Sequence, residues 1–203
     1  MLGLPLATEI NKQLPKKAIY AKFDLKPAQR DHFDEDVSKL VIVNAISPTT
    51  IPALQKGENV ECIYVVEVSL KKRDYDPKNI ALLSKLIPQK IVFALRHDNM
   101  IQLAIYHSKL ICGNWQDDEE SHITLQGLNM DTVWEGLVTN IGNITIEDGK
   151  SLLVQLAFDD ARAKLEERLN QIEKRARSEK QPRKRLELFE QIKVIKEQLY
   201  GKT

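Results

Sequence analysis

Val60-Glu61-Cys62-Ile63-Tyr64-Val65-Val66-Glu67-Val68-Ser69-Leu70-Lys71-Lys72 is the stretch that decides the fold. It is the longest β-prone run in the chain, and a two-residue period runs through it. Cys62, Tyr64, Val66, Val68 and Leu70 fall on one face, which is fully apolar. Glu61, Ile63, Val65, Glu67, Ser69 and Lys71 fall on the other, which turns polar toward its end. That pattern describes a central strand leaving a buried sheet.

The residues after this strand extend it into a unit. Asp76 is placed as an N-cap and Pro77 as the first residue of a helix over 77–87, with Ile80, Leu83, Leu86 and Ile87 inward. Ile91 to Leu95 reads as a short strand, His97-Asp98-Asn99 as a tight turn and Ile101 to Tyr106 as the return strand. A crossover that carries a helix makes 62–71 and 90–96 parallel neighbours, and the last two strands form an antiparallel hairpin. Upstream, Glu9 to Leu14 suggests one or two helical turns. Phe33, Val37, Leu40, Val41 and Asn44 suggest a helix from Pro27 to about Ala45. Downstream, Trp115 to Glu120 reads as an acidic surface loop, Ile123 to Leu125 as a short edge strand, and Met130 to Ile141 as a helix capped by Gly142.

The composition changes after Gly149. Residues 150–200 hold no glycine and one proline, Pro182. Leu165, Leu169, Ile172 and Ala176 have the spacing of a coiled-coil seam, as do Leu188, Ile192, Ile195 and Leu199. The expectation is α/β or α+β: a mixed sheet with a β-α-β-β core over 1–149, and an antiparallel helical hairpin over 150–203. The hairpin buries only one stripe of itself, so it leans on the domain or on a second copy.

The chain has 203 residues, 42% hydrophobic and 29% charged, with a formal net charge of +1. That balance removes any whole-chain case for nucleic acid. Two cysteines give no disulfide framework, there is no secretory signal pattern, and no apolar run reaches membrane-spanning length; a cytoplasmic protein is expected. The dinucleotide and phosphate-loop glycine motifs are absent. His97, His107, Cys112 and His122 have spacings that fit no common zinc module.

Two constellations remain. Glu67 and Lys71 share a face at the polar end of the strand, where a carboxylate and a lysine serve Mg²⁺-dependent nucleases. The triplet here is Glu67-Val68-Ser69, so the lysine comes two residues late. Glu61 is about 20 Å away at about 3.3 Å per residue. A second metal ligand would have to be Asp74, Asp76 or Glu35, since hard cations take several oxygens. The second constellation is charge. Lys174, Arg175, Arg177, Lys180, Arg183, Lys184 and Arg185 stand against Glu179 alone, a local +6 at the expected hairpin tip. Such a tip suits a phosphate backbone or an acidic partner, and without aromatics it does not suit single-strand stacking. Lys12, Lys16, Lys17 and Lys22, with Lys71, Lys72 and Arg73, make a second basic group.

The chain resembles the bacterial domain-of-unknown-function family numbered 4391. The resemblance lies in Leu4-Pro5, Asn11-Lys12-Gln13-Leu14-Pro15-Lys16-Lys17, Val66-Glu67-Val68-Ser69-Leu70-Lys71, Ile87-Pro88-Gln89-Lys90-Ile91 and the lysine-rich tail. It implies a small protein encoded beside helicases and DNA methyltransferases, in clusters like restriction or phage-defence systems. The expected function is a non-catalytic accessory protein without a cofactor. It would bind a helicase or methyltransferase partner, and nucleic acid through the basic tip and Lys16 and Lys17. The alternative is the Mg²⁺ nuclease.

Overall fold

A computed structural model describes residues 2–201. The chain divides into two compact units, Met1–Thr145 and Ile146–Thr203. The first is an α+β unit on one six-stranded sheet whose spatial order follows the sequence. Its elements are β1 (Glu9–Gln13), α1 (Lys16–Lys22), α2 (Pro27–Asp36), β2 (Val37–Ile46), β3 (Ile63–Leu70), α3 (Pro77–Leu83), β4 (Lys90–His97), β5 (Met100–Tyr106), β6 (Leu110–Asp117) and α4 (Met130–Gly142). β3 and β4 are parallel and joined through α3; every other pair is antiparallel.

β3 is the central strand that its alternation indicates. Val66, Val68 and Leu70 join a core with Ile19 of α1, Phe33 of α2 and Ile80 and Leu83 of α3. On the opposite face Ile63 and Val65 are buried, while Glu67 and Ser69 reach the surface. Asp76 caps α3 by accepting from the Lys78 N–H at 2.9 Å, and Pro77 opens the helix. α4 buries Met130, Val133, Trp134, Leu137 and Val138. Its first-turn Asp131 accepts main-chain N–H groups from Glu58, Asn59 and Val60, which ties the 57–60 loop to the helix N-terminus.

Several local expectations are corrected: α3 ends at Leu83 rather than at 87, and Asn143 rather than Gly142 caps α4. Glu9 to Gln13 is an edge strand, not a helix, and it is one of six strands in the sheet. The helix from Pro27 stops at Asp36, and β2 begins at once. Two register shifts in β2 explain the misreading. Val37, Leu40, Ile42 and Ala45 lie opposite Leu70, Val68, Val66 and Tyr64, so the inward positions are spaced 3-2-3 and the two-residue alternation that marks a strand is lost. The acidic loop begins at Asp118, because Trp115 to Asp117 belong to β6. Residues 123–125 form no strand; one bond, from the Ile123 N–H to the Leu2 carbonyl at 2.9 Å, ties them to the N-terminal segment.

The second unit is a helical hairpin of α5 (Leu152–Ser178) and α6 (Pro182–Tyr200). Its core holds Leu169, Ile172, Ala176, Ile192 and Ile195, flanked by Leu165, Leu188 and Leu199, which are the eight seam positions of the sequence pattern. Pro182 is the first residue of α6, where its missing N–H has no helical partner to lose. Among the described residues no helix is long and apolar enough to cross a membrane.

Candidate functional site

Glu67 stands at the polar end of its face of β3, but its partner is not Lys71. β4 runs parallel beside it and sets Arg96 opposite Ser69. The guanidinium Nε lies 2.8 Å from Glu67 Oε2, with its N–H not aimed at the oxygen, so the contact is an ion pair rather than a hydrogen bond. Arg96 Nη1 also donates to Asp118. Lys71 lies beyond the strand end and is exposed; its main-chain N–H donates to the Asp36 carbonyl at 2.8 Å. A cavity of about 210 Å³ adjoins Glu67 and Arg96, walled by Leu4, Val43, Asn44 and Asn11.

The acids proposed to complete a metal site are engaged elsewhere or stand in solvent. Asp76 caps α3 and holds His32 Nε2 at 3.0 Å, and that hydrogen bond raises the His32 pKa. Glu35 lies 3.8 Å from the other ring nitrogen of His32, and Asp74 is exposed. Among the described residues no three His, Cys, Asp or Glu side chains gather as a metal-ligand group. The cysteine and histidine candidates are also dispersed. Burial raises the Cys112 thiol, against a contact from the Tyr75 hydroxyl at 3.7 Å. That works against nucleophilic use, which needs the thiolate. His107 is held below its usual pKa by burial and by the Lys90 charge. His97 pairs with its neighbour Asp98 at 3.3 Å.

Several members of the second basic group are committed to structure. Lys16 bonds Asp34 at 2.5 Å and the Val37 carbonyl, and the Tyr20 hydroxyl donates to the same Asp34 oxygen. Burial pushes the Asp34 carboxyl up, but the Lys16 and Tyr20 bonds outweigh it and hold the pKa low. Lys22 donates to the Leu86 carbonyl. Lys72 pairs at 2.9 Å with Asp36, whose side chain is fully buried. Asp36 Oδ2 also accepts from the Asp76 N–H and from Asn79 Nδ2, each at 2.8 Å. Here too burial raises the pKa and the hydrogen bonds more than reverse it. The Arg73 guanidinium stacks 5.1 Å from the Trp115 ring centroid. Lys12 and Lys17 are exposed. The second basic surface therefore shrinks to a few free charges, because Asp34 and Asp36 neutralise its centre.

The hairpin tip is different. Lys174, Arg175 and Arg177 come from the last turns of α5, Lys180 from the link, and Arg183, Lys184 and Arg185 from the first turn of α6. All seven are exposed, while Glu179 among them is half-buried. Arg183 lies 3.8 Å from Glu187 with its side chain 94% exposed, which is a weak pairing. Arg185 leans over Phe189 at 5.6 Å. Glu179 accepts from the Gln181 N–H at 2.9 Å and so helps shape the link between the helices.

Arg96 and Asp118 are the residues that sequence reasoning missed. Their role depends on the register of β4 against β3, and no local pattern reports that register. In comparison with known proteins, residues 2–199 match a family model described as "Domain of unknown function (DUF4391)". No curated protein and no solved structure matches the chain.

Proposed function

We propose, on the premise that this chain belongs to the DUF4391 family, that it is a non-catalytic accessory protein of a cytoplasmic DNA-processing or phage-defence complex. In this reading the basic hairpin tip contacts a duplex phosphate backbone, and the protein serves a helicase or methyltransferase partner. The observation that carries it is the tip itself. Seven bases, all of them exposed, stand around the link between the two helices, with Glu179 as the acid among them. In the first unit, by contrast, Lys16 and Lys72 are spent on buried or half-buried carboxylates. A side chain that already neutralises a carboxylate has little charge left for a phosphate, whereas an unpaired surface base releases counterions when it meets one. Residues 174–185 hold no aromatic, and the half-exposed Phe189 beside them lies against Arg185, which favours duplex over single strand. The nuclease alternative gains nothing from the geometry, because Glu67 faces Arg96 where a metal-binding acid would need further oxygen ligands.

The test is fluorescence anisotropy of the full chain with labelled duplex and single-stranded DNA over a salt series. Contact with three or four phosphates gives a slope of log Kobs on log salt of about −3. The triple reversal Arg183→Glu, Lys184→Glu, Arg185→Glu removes the slope and the binding. Duplex binding that survives the reversal with its salt slope intact removes the hairpin from the account.

A further inference from the structure

We propose that a groove in the first unit, between β6, segment 121–126 and the C-terminal end of α4, binds a neutral saccharide. This inference is independent of the hairpin tip. The groove encloses about 700 Å³, within the size range of small-molecule sites. Its floor is apolar, with Leu103 of β5 and Leu137 and Ile141 of α4. Its rim carries Asn114, His122, Thr124, Gln126, Asn140 and Asn143. All six are exposed to solvent, and none of their side chains makes a hydrogen bond within the described residues. Among the described residues no Asp, Glu, Lys or Arg lines the groove, although those types make up 59 of the chain's residues (30 plus 29).

The backbone is shaped to open this space. β6 carries one extra residue against β5, because Gln102 faces Trp115 and Ala104 faces Cys112. The bulge falls at Gly113 and Asn114 and re-aims the strand, as bulges beside binding sites do. A side chain at Gly113 would come 3.1 Å from the Ile141 carbonyl, so glycine lets the helix end pass directly over the bulge. α4 then stops at Asn143, whose left-handed conformation (φ 48°) turns the chain away. The far wall is held by the bond from the Ile123 N–H to Leu2 and by Gln116 Nε2 donating to the buried Ser121 hydroxyl at 2.7 Å.

The chemistry selects the ligand class. A phosphate or carboxylate would find no Lys or Arg here, and an amine no carboxylate. Carboxamide and hydroxyl side chains both donate and accept, which matches sugar hydroxyls that do the same. An added peptide strand is less suited, because the bulge interrupts the main-chain ladder it would need.

The test is NMR on the ¹⁵N-labelled full chain. It is titrated with glucose, galactose, mannose, maltotriose, cellotriose and triacetylchitotriose, beside glucosamine, glucuronate and an uncharged Ser/Thr/Gln peptide. The expected result is saturable shifts at the Asn114, His122 and Asn140 amides with at least one neutral saccharide, weaker with the charged sugars. Asn114→Ala and Asn140→Ala should each weaken binding about fivefold, the loss of one hydrogen bond. Both side chains are unbonded within the protein, so the variants should keep the parent melting temperature; Thr124→Ala replaces either one that does not. Absence of saturable shifts with every saccharide overturns the proposal. So does an affinity that none of the folded variants changes, or a groove that answers to the peptide instead.

Discussion

Replacing Asp36 should be among the most costly single changes in the first unit, and the two obvious replacements should differ. Oδ2 accepts two hydrogen bonds of 2.8 Å, from the Asp76 N–H and from Asn79 Nδ2, and Lys72 stands 2.9 Å from Oδ1. Each bond to a charged acceptor contributes about 1.5–3 kcal/mol. The Lys72 pair adds at most about 1 kcal/mol, because the lysine is half exposed and screened. Asp36→Ala leaves both donors unsatisfied and should cost about 3–5 kcal/mol. Asp36→Asn keeps one oxygen for both donors but loses the charge and the Lys72 pair, so about 1–2 kcal/mol is expected. Urea unfolding followed by tryptophan fluorescence reads this directly, since Trp115 and Trp134 both lie in the first unit. The pH dependence supplies the sign. The hydrogen bonds hold the folded-state pKa below the unfolded value. The carboxylate's contribution is therefore fully present above about pH 4 and is lost as the pH falls through the folded value. The gap between the parent and Asp36→Asn should close over that acid range. A cost for Asp36→Ala under about 1 kcal/mol, or equal costs for the two variants, would refute the assigned network.

Two further perturbations bear on the architecture. Asp131→Ala removes the acceptor for the Glu58, Asn59 and Val60 N–H groups and should cost about 2–3 kcal/mol, with faster amide exchange confined to 58–60 and the first turn of α4; unchanged exchange there would show that the loop holds itself. Ile192→Ala opens the hairpin seam and should cost about 2–4 kcal/mol, seen as lost exchange protection along 165–199. A seam that keeps its protection would mean that α5 and α6 are held by something other than their packing.

Much of this molecule is determined locally. β3 needs only its own alternation, since a two-residue period with one apolar face specifies a buried strand wherever it pairs. The β3–α3–β4 crossover follows from Asp76-Pro77 and the lengths on either side. The hairpin follows from eight seam residues at heptad spacing, and the exposure of its tip follows from the density of lysine and arginine. The tertiary structure alone decided the features that depend on two segments meeting. β2 and β6 carry bulges, which insert residues and erase the alternation that marks a strand; only pairing with β3 and β5 restores the register. Glu67 gained Arg96 because the parallel register sets Arg96 opposite Ser69, two residues along β3 from Glu67 and on the same face. Lys16 and Lys72 look like free charges until α2 brings Asp34 and Asp36 beside them. The neutral groove joins β6, a loop and α4, none of which carries a motif. Charge and periodicity are properties of a segment, whereas pairing, neutralisation and concavity are properties of segments in contact.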